Sequence, residues 1–131
     1  MERTRRQQTL LIAGRIVVGG GALLAPRITA RAIGIDPTAN PAAVYIGRLF
    51  GVRAVFMALL LAASRDAERD RQLRAGVAVD VVDALAAVAA GRRRELRPLS
   101  AWAAFAAAVT EASLGACVLR RRAPAAVPQL R

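Results

Sequence analysis

Four apolar stretches, at about residues 9–25, 42–64, 75–91 and 99–119, are separated by short runs rich in arginine. None alternates apolar and polar residues as a half-buried strand does, so the pattern predicts an all-α chain. Their lengths of about 17, 23, 17 and 21 residues bracket the roughly 20 needed to cross a bilayer core. Helices of soluble proteins carry a polar face along their length, whereas the second and fourth stretches carry almost none. The prediction is an antiparallel four-helix transmembrane bundle forming a single domain, residues 1–131. Between the first two stretches, the segment from Pro26 to Ile35 predicts one interfacial turn or two, followed by turn signals at Asp36-Pro37 and Asn40-Pro41. Asn40 as N-cap and Pro41 at the first helical position open the second helix. The charge-mixed stretch Arg65 to Arg74 reads as a loop or frayed helix end, and Pro124 and Pro128 break whatever follows the fourth helix.

Six charged residues interrupt this apolar pattern: Arg15, Arg48 and Arg53 in the first two stretches, and Asp80, Asp83 and Glu111 in the last two. A lone charge at mid-membrane costs roughly 2.5 to 3.5 kcal/mol, so such residues normally face a bundle interior and pair. Counting 1.5 Å per residue along alternating helices puts Arg48 and Asp83 at about 9 and 12 Å, and the other four at about 15 to 18 Å. All six therefore share one layer. Depth pairs Arg48 with Asp83 and leaves Arg15 and Arg53 to share Asp80 and Glu111. In the third stretch six Leu or Val residues contribute about 2 to 3.6 kcal/mol to insertion, against about 5 to 7 for two Asp. That segment is not expected to insert alone.

Small residues supply the packing faces. Gly47 and Gly51 form a GxxxG that Ala54 and Ala58 extend into one seam. Gly76, Asp80, Asp83, Ala84 and Ala87 follow helical spacing, leaving Val77, Val81, Leu85 and Val88 for lipid. Ala104, Ala108, Glu111 and Gly115 repeat the design in the fourth stretch. Gly19-Gly20-Gly21 lacks the strand and Lys-Ser/Thr of a phosphate loop and reads as a place where another helix approaches. Tyr45 and Trp102 stand where interfacial anchors would.

Composition narrows the chemistry. The chain is 56% hydrophobic and 4% aromatic with net charge +11, and all 20 of its basic residues are Arg. The surplus charge lies in runs beside apolar segments, as orientation signals do, rather than on a face arranged for nucleic acid. With both ends and the Arg65 to Arg74 loop on one side, that side holds eleven Arg against six, so both termini are expected in the cytoplasm. Thr4-Arg5-Arg6 faintly resembles a twin-arginine leader, but Gln7, Gln8 and Arg15 interrupt the pattern, and an uncleaved first span is expected. The chain has no His, and its single Cys, Cys117, lies within an apolar stretch. These counts speak against disulfides, thiolate zinc, serine hydrolysis and His-based acid/base chemistry. Asp80 and Asp83 have the spacing of a two-carboxylate Mg²⁺ site, but three nearby Arg disfavour a cation. No enzyme, cofactor or metal is expected.

Gly14-Arg15, Leu23 to Arg27, Gly34 to Pro37, Asn40-Pro41, Arg48 to Arg53 and Val79 to Asp83 together resemble the pattern of small bacterial membrane proteins of a domain-of-unknown-function type. The resemblance covers about Leu10 to Arg120 and implies a four-helix integral membrane protein of the inner, cytoplasmic membrane, with no established activity. A remoter similarity is to DoxX-like membrane proteins, without a motif that carries over a redox role. The expected partners are the bilayer and a second copy or another membrane protein. Two functions are weighed: an Arg/Asp/Glu network that organises the bundle or an interaction, and a small transporter or proton relay using the carboxylates. Equal numbers of Arg and acid favour the first, since Arg disfavours protonation of a neighbouring carboxylate.

Overall fold

The computed structural model describes residues 2–122, so Pro124 and Pro128 lie outside the described residues. These residues form five helices and no strand: Glu2–Leu24 (α1), Pro26–Ala32 (α2), Ala42–Ala63 (α3), Asp66–Arg92 (α4) and Pro98–Arg122 (α5). The fold is all-α, but the expectation of an antiparallel four-helix bundle is corrected, because the connection after the first span is itself a helix. Pro26 occupies the first helical position of α2, where its fixed φ suits a helix and its missing N–H costs nothing. Gly34, at φ +79°, then ends that helix in a Schellman turn, with Ile35 N donating to the Ala30 carbonyl at 2.9 Å. In the link to α3, Asp36 accepts from the Thr38 backbone N at 2.9 Å and from Thr38 Oγ1 at 2.7 Å. These bonds hold its carboxyl below the usual carboxylate range. The expected Asn40 cap is absent: no side chain caps α3, whose first turn is closed by Ala43 N donating to the Asn40 carbonyl at 3.1 Å.

A second correction concerns Arg65 to Arg74, expected as a loop or frayed end, which is helical from Asp66 onward. Its charges alternate at helical spacing: Glu68 accepts from Arg71 Nη2 at 2.5 Å and from Gln72 Nε2 at 2.8 Å, and Asp66 and Glu68 sit in the first turn, where the helix dipole favours acids. Helix α4 therefore reaches 27 residues, with its charged first turns beyond the apolar part.

Helix α1 packs most closely on α3, and α4 on α5; α1 against α5 joins these two pairs, and α3 against α4 is the thinnest contact. Leu11, Leu61, Leu73 and Val118, one from each long helix, meet in a core at the end where the chain begins. Leu11 and Leu73 lie early in their helices and Leu61 and Val118 late, so the four run alternately up and down. Arg122 Nε closes the same end with a 2.6 Å bond to Asp70 Oδ1. Beyond that core the packing depends on small residues. An added Cβ on Gly51 would lie 2.5 Å from the Gly19 carbonyl oxygen, and one on Gly115 would lie 2.7 Å from Val77 Cγ2. Val77, expected to face lipid, is instead partly covered by α5 across Gly115.

Large apolar side chains cover the outside, among them Val17, Leu24, Ile46, Phe56, Val82 and Leu85. Three helices, α1, α3 and α5, are long and apolar enough to cross a membrane, and α4 is not among them. An apolar exterior on helices of this length is the signature of a multi-pass membrane protein.

Candidate functional site

Arg15 stands one turn below the Leu11 core on α1 and is only 3% exposed. Its Nη2 donates to Asp80 Oδ2 on α4 at 2.6 Å, and its Nε donates to Glu111 Oε2 on α5 at 3.1 Å. Among the described residues no Cα of α1 comes within 8 Å of one on α4. The two helices lie diagonally across the fold, and the guanidinium fills the space between them. Gly76, one turn before Asp80, makes that space: a Cβ there would sit 2.9 Å from Arg15 Nη1. The planar fork of an arginine suits this role, since separate N–H groups reach separate carboxylates. Glu111, with its side chain 22% exposed, is the least enclosed of the three.

Arg53 and Asp83 form a second pair, joining α3 to α4 where those helices contact each other least. Both are partly open, at 44% and 31% exposure, and flank a shallow groove of about 250 Å³ with Ala78, Val79 and Val82. The Arg53 guanidinium also lies 5.5 Å from the centre of the Phe50 ring, within cation–π range. The two Asp of the Asp-x-x-Asp spacing thus serve different arginines. They converge on no common site.

Arg48 is exposed and has no ion pair among the described residues, so the expected Arg48–Asp83 pairing is corrected. Arg48 and Arg53 are five residues apart, about 140° around the helix, and when Arg53 faces α4 its neighbour must turn outward. At about 9 Å from the start of α3, a long arginine side chain reaches the membrane surface by snorkelling. The expected sharing of Asp80 and Glu111 between two arginines is corrected too, because Arg15 takes both. Among the described residues the six charges divide into a buried triad, a half-exposed pair and a cation without an ion pair. Charge balance across the layer is not local balance.

Of the expected packing residues, Gly51, Ala54 and Ala58 are buried, while Gly47 is partly covered. An added Cβ on Gly47 would meet only Pro26 Cβ, at 3.7 Å. Among the three glycines of Gly19-Gly20-Gly21, Gly19 is the one pressed against α3, with an added Cβ 2.7 Å from Ala54 Cβ, and Gly20 faces open space. Among the described residues, three buried polar atoms lack a hydrogen-bond partner, Gln7 Oε1, Arg69 Nε and Ser100 Oγ, and no pattern in the sequence marks them. Ser100 belongs to the contact between α5 and the α2–α3 link, where a Cβ on Gly34 would lie 3.1 Å from its Oγ.

Of the motifs that suggested a family, Leu23 to Arg27, Gly34 to Pro37 and Asn40-Pro41 lie at helix ends and turns, where Gly and Pro recur in many unrelated chains, while Gly14-Arg15, Arg48 to Arg53 and Val79 to Asp83 lie within α1, α3 and α4. Comparison with protein-family models, curated proteins and solved structures yields no match. The resemblance to the domain-of-unknown-function family and to DoxX-like proteins is therefore corrected: neither is supported, and five helices stand where four were implied.

Proposed function

We propose that the Arg15–Asp80–Glu111 triad holds the charged helix α4 among three apolar spans, and that the chain is a small, non-enzymatic integral membrane protein of the cytoplasmic membrane whose role lies in structure or in an interaction. The observation that carries this reading is the single buried guanidinium bound to carboxylates from two other helices. The apolar part of α4, residues 75–91, needs such a partner, since Asp80 and Asp83 outweigh its six Leu and Val residues by about 1.4 to 5 kcal/mol on the insertion scale. Arginine counts favour cytoplasmic termini, and exposed Tyr45 and Trp102 near the opposite end suit an interfacial belt.

Insertion of α4 tests the proposal. Presented alone as a test segment, residues 75–91 are expected to stay mostly out of the membrane, and to span it within the full chain. Asp80→Ala with Asp83→Ala is expected to rescue insertion of the lone segment and weaken the assembled protein. Efficient insertion of the unmodified segment would remove the need for the triad. Cysteines at positions 5 and 122, in a Cys117→Ser background, are expected to resist impermeant reagents in intact cells; labelling of both from outside would reverse the orientation.

A proton-relay reading is favoured by one observation: a single guanidinium serves two carboxylates, leaving one negative charge uncompensated when both are ionised. A proton on either acid makes the triad neutral, and Glu111 is the more open of the two. Proteoliposomes carrying a pH dye separate the readings. The structural role predicts no protein-dependent proton flux, whereas a relay predicts a flux lost in Glu111→Gln.

A further inference from the structure

The end of α4 and the start of α5 enclose a groove of about 310 Å³ on the opposite side of the molecule from the Leu11 core. Its lining is apolar, including Val88, Pro98, Trp102 and Phe105, with Arg92 as the one charged residue. Trp102 is 67% exposed and meets Phe105 edge to face, with ring centres 5.6 Å apart. Above the groove, the link from α4 to α5 exposes Arg93, Arg94 and Arg97. Its single acid, Glu95, is 3.9 Å from Arg93 and leaves the arginine cluster strongly positive. Arg94 takes φ +59° in the turn that ends α4, where Glu95 N donates to the Ala90 carbonyl at 2.9 Å. Glycine fills this left-handed position most cheaply, yet here it presents a guanidinium.

We propose that this groove binds an anionic phospholipid, with an acyl chain against Trp102 and Phe105 and the headgroup phosphate held by the arginines from Arg92 to Arg97. The proposal rests on the reading that α4 and α5 lie in the bilayer. Charge complementarity and the division of the site select the ligand. A free inorganic anion has no use for an apolar trough about 10 Å long, measured from Pro98 to Phe105. A zwitterionic lipid gains little from an excess of guanidinium, whereas a phosphate with uncompensated charge accepts paired N–H donors from Arg. Basic clusters beside membrane helices recognise anionic headgroups by the same physics.

Trp102 is the only tryptophan in the chain and therefore reports on the groove alone. The full protein is reconstituted in phosphatidylcholine vesicles containing an equal mole fraction of either brominated phosphatidylglycerol or brominated phosphatidylcholine. Brominated phosphatidylglycerol is expected to quench Trp102 with an apparent affinity about fivefold higher or more, the effect of one arginine close to an anionic headgroup. With Arg94→Gly, which suits the left-handed turn and keeps the backbone, combined with Arg92→Gln, Arg93→Gln and Arg97→Gln, the preference is expected to vanish while quenching by both lipids persists. Equal quenching in the unaltered protein would overturn the proposal, as would a preference that survives in the variant. Loss of the preference on adding inorganic phosphate at constant ionic strength would identify a free-anion site and overturn it as well. Quenching by neither lipid would show that α5 is outside the bilayer, and both readings would fall together.

Discussion

Arg15→Leu is expected to remove most of the folded protein. The substitution strands Asp80 and Glu111 in a place built for a guanidinium, and removing one partner of a buried ion pair costs about 3 to 5 kcal/mol. Total stabilities are about 5 to 15 kcal/mol, so the loss is a large share of the whole. Gly76→Ala acts on the same point, because its new Cβ would press on a guanidinium already tied to two carboxylates. The triple change of Arg15, Asp80 and Glu111 to Leu is expected to recover folded protein relative to Arg15→Leu, since a buried ionic group replaced as a unit by apolar side chains is often tolerated. Arg53→Leu is expected to cost less, its pair with Asp83 being half-exposed, and Arg48→Leu less still. Thermal unfolding of the purified variants in detergent gives the order. If Arg15→Leu unfolds no earlier than Arg48→Leu, the triad does not hold the fold.

The second large effect is expected at Gly51. A Cβ there would lie 2.5 Å from both the Gly19 carbonyl oxygen and the Leu23 backbone N, and 2.9 Å from Leu23 Cα. These are backbone atoms of α1, which cannot rotate aside as a side chain can, so α1 and α3 must separate. Overpacking of this kind typically costs about 1 to 3 kcal/mol, and losing the close approach spreads the damage along the pair. Gly47→Ala meets only an ordinary contact and gains helix propensity, so it is expected to be neutral or mildly stabilising. The two glycines of one GxxxG thus have opposite predicted outcomes. Midpoints of detergent unfolding measure the contrast, and a Gly47→Ala protein less stable than Gly51→Ala would reverse this account of the α1–α3 contact.

Periodicity exposed the small faces of the long helices because burial on a helix repeats every three or four residues, and Gly76, Asp80 and Ala84 follow that repeat. It did not reveal α2, whose seven residues are too few to show a period and whose helical state rests on Pro26 at one end and Gly34 at the other. Nor did polarity mark the true start of α4, because Glu68, Arg71 and Gln72 are as compatible with a loop as with a charged helical turn until their mutual bonds are seen. The charge pairing failed for a geometric reason. Depth along a helix and the angle of about 140° between Arg48 and Arg53 can both be counted from sequence, but which of the two faces α4 is set by packing. The diagonal reach of Arg15 was hidden similarly, since no count along the chain says which two of four helices stand opposite each other.

Helices α3 and α4 are joined through only Ser64 and Arg65, yet each finds its main partner elsewhere, α3 in the earlier α1 and α4 in the later α5. During synthesis the α1–α3 half is complete before α4 appears. The ribosome must then add the 30 residues from Arg92 to Arg122 before the whole of α5 exists, roughly 2 to 6 s at ordinary elongation rates. Arg15 and Arg53 belong to the half made first, so the ion pairs of Asp80 and Asp83 tie α4 back to that half, while its principal packing partner, α5, is made last.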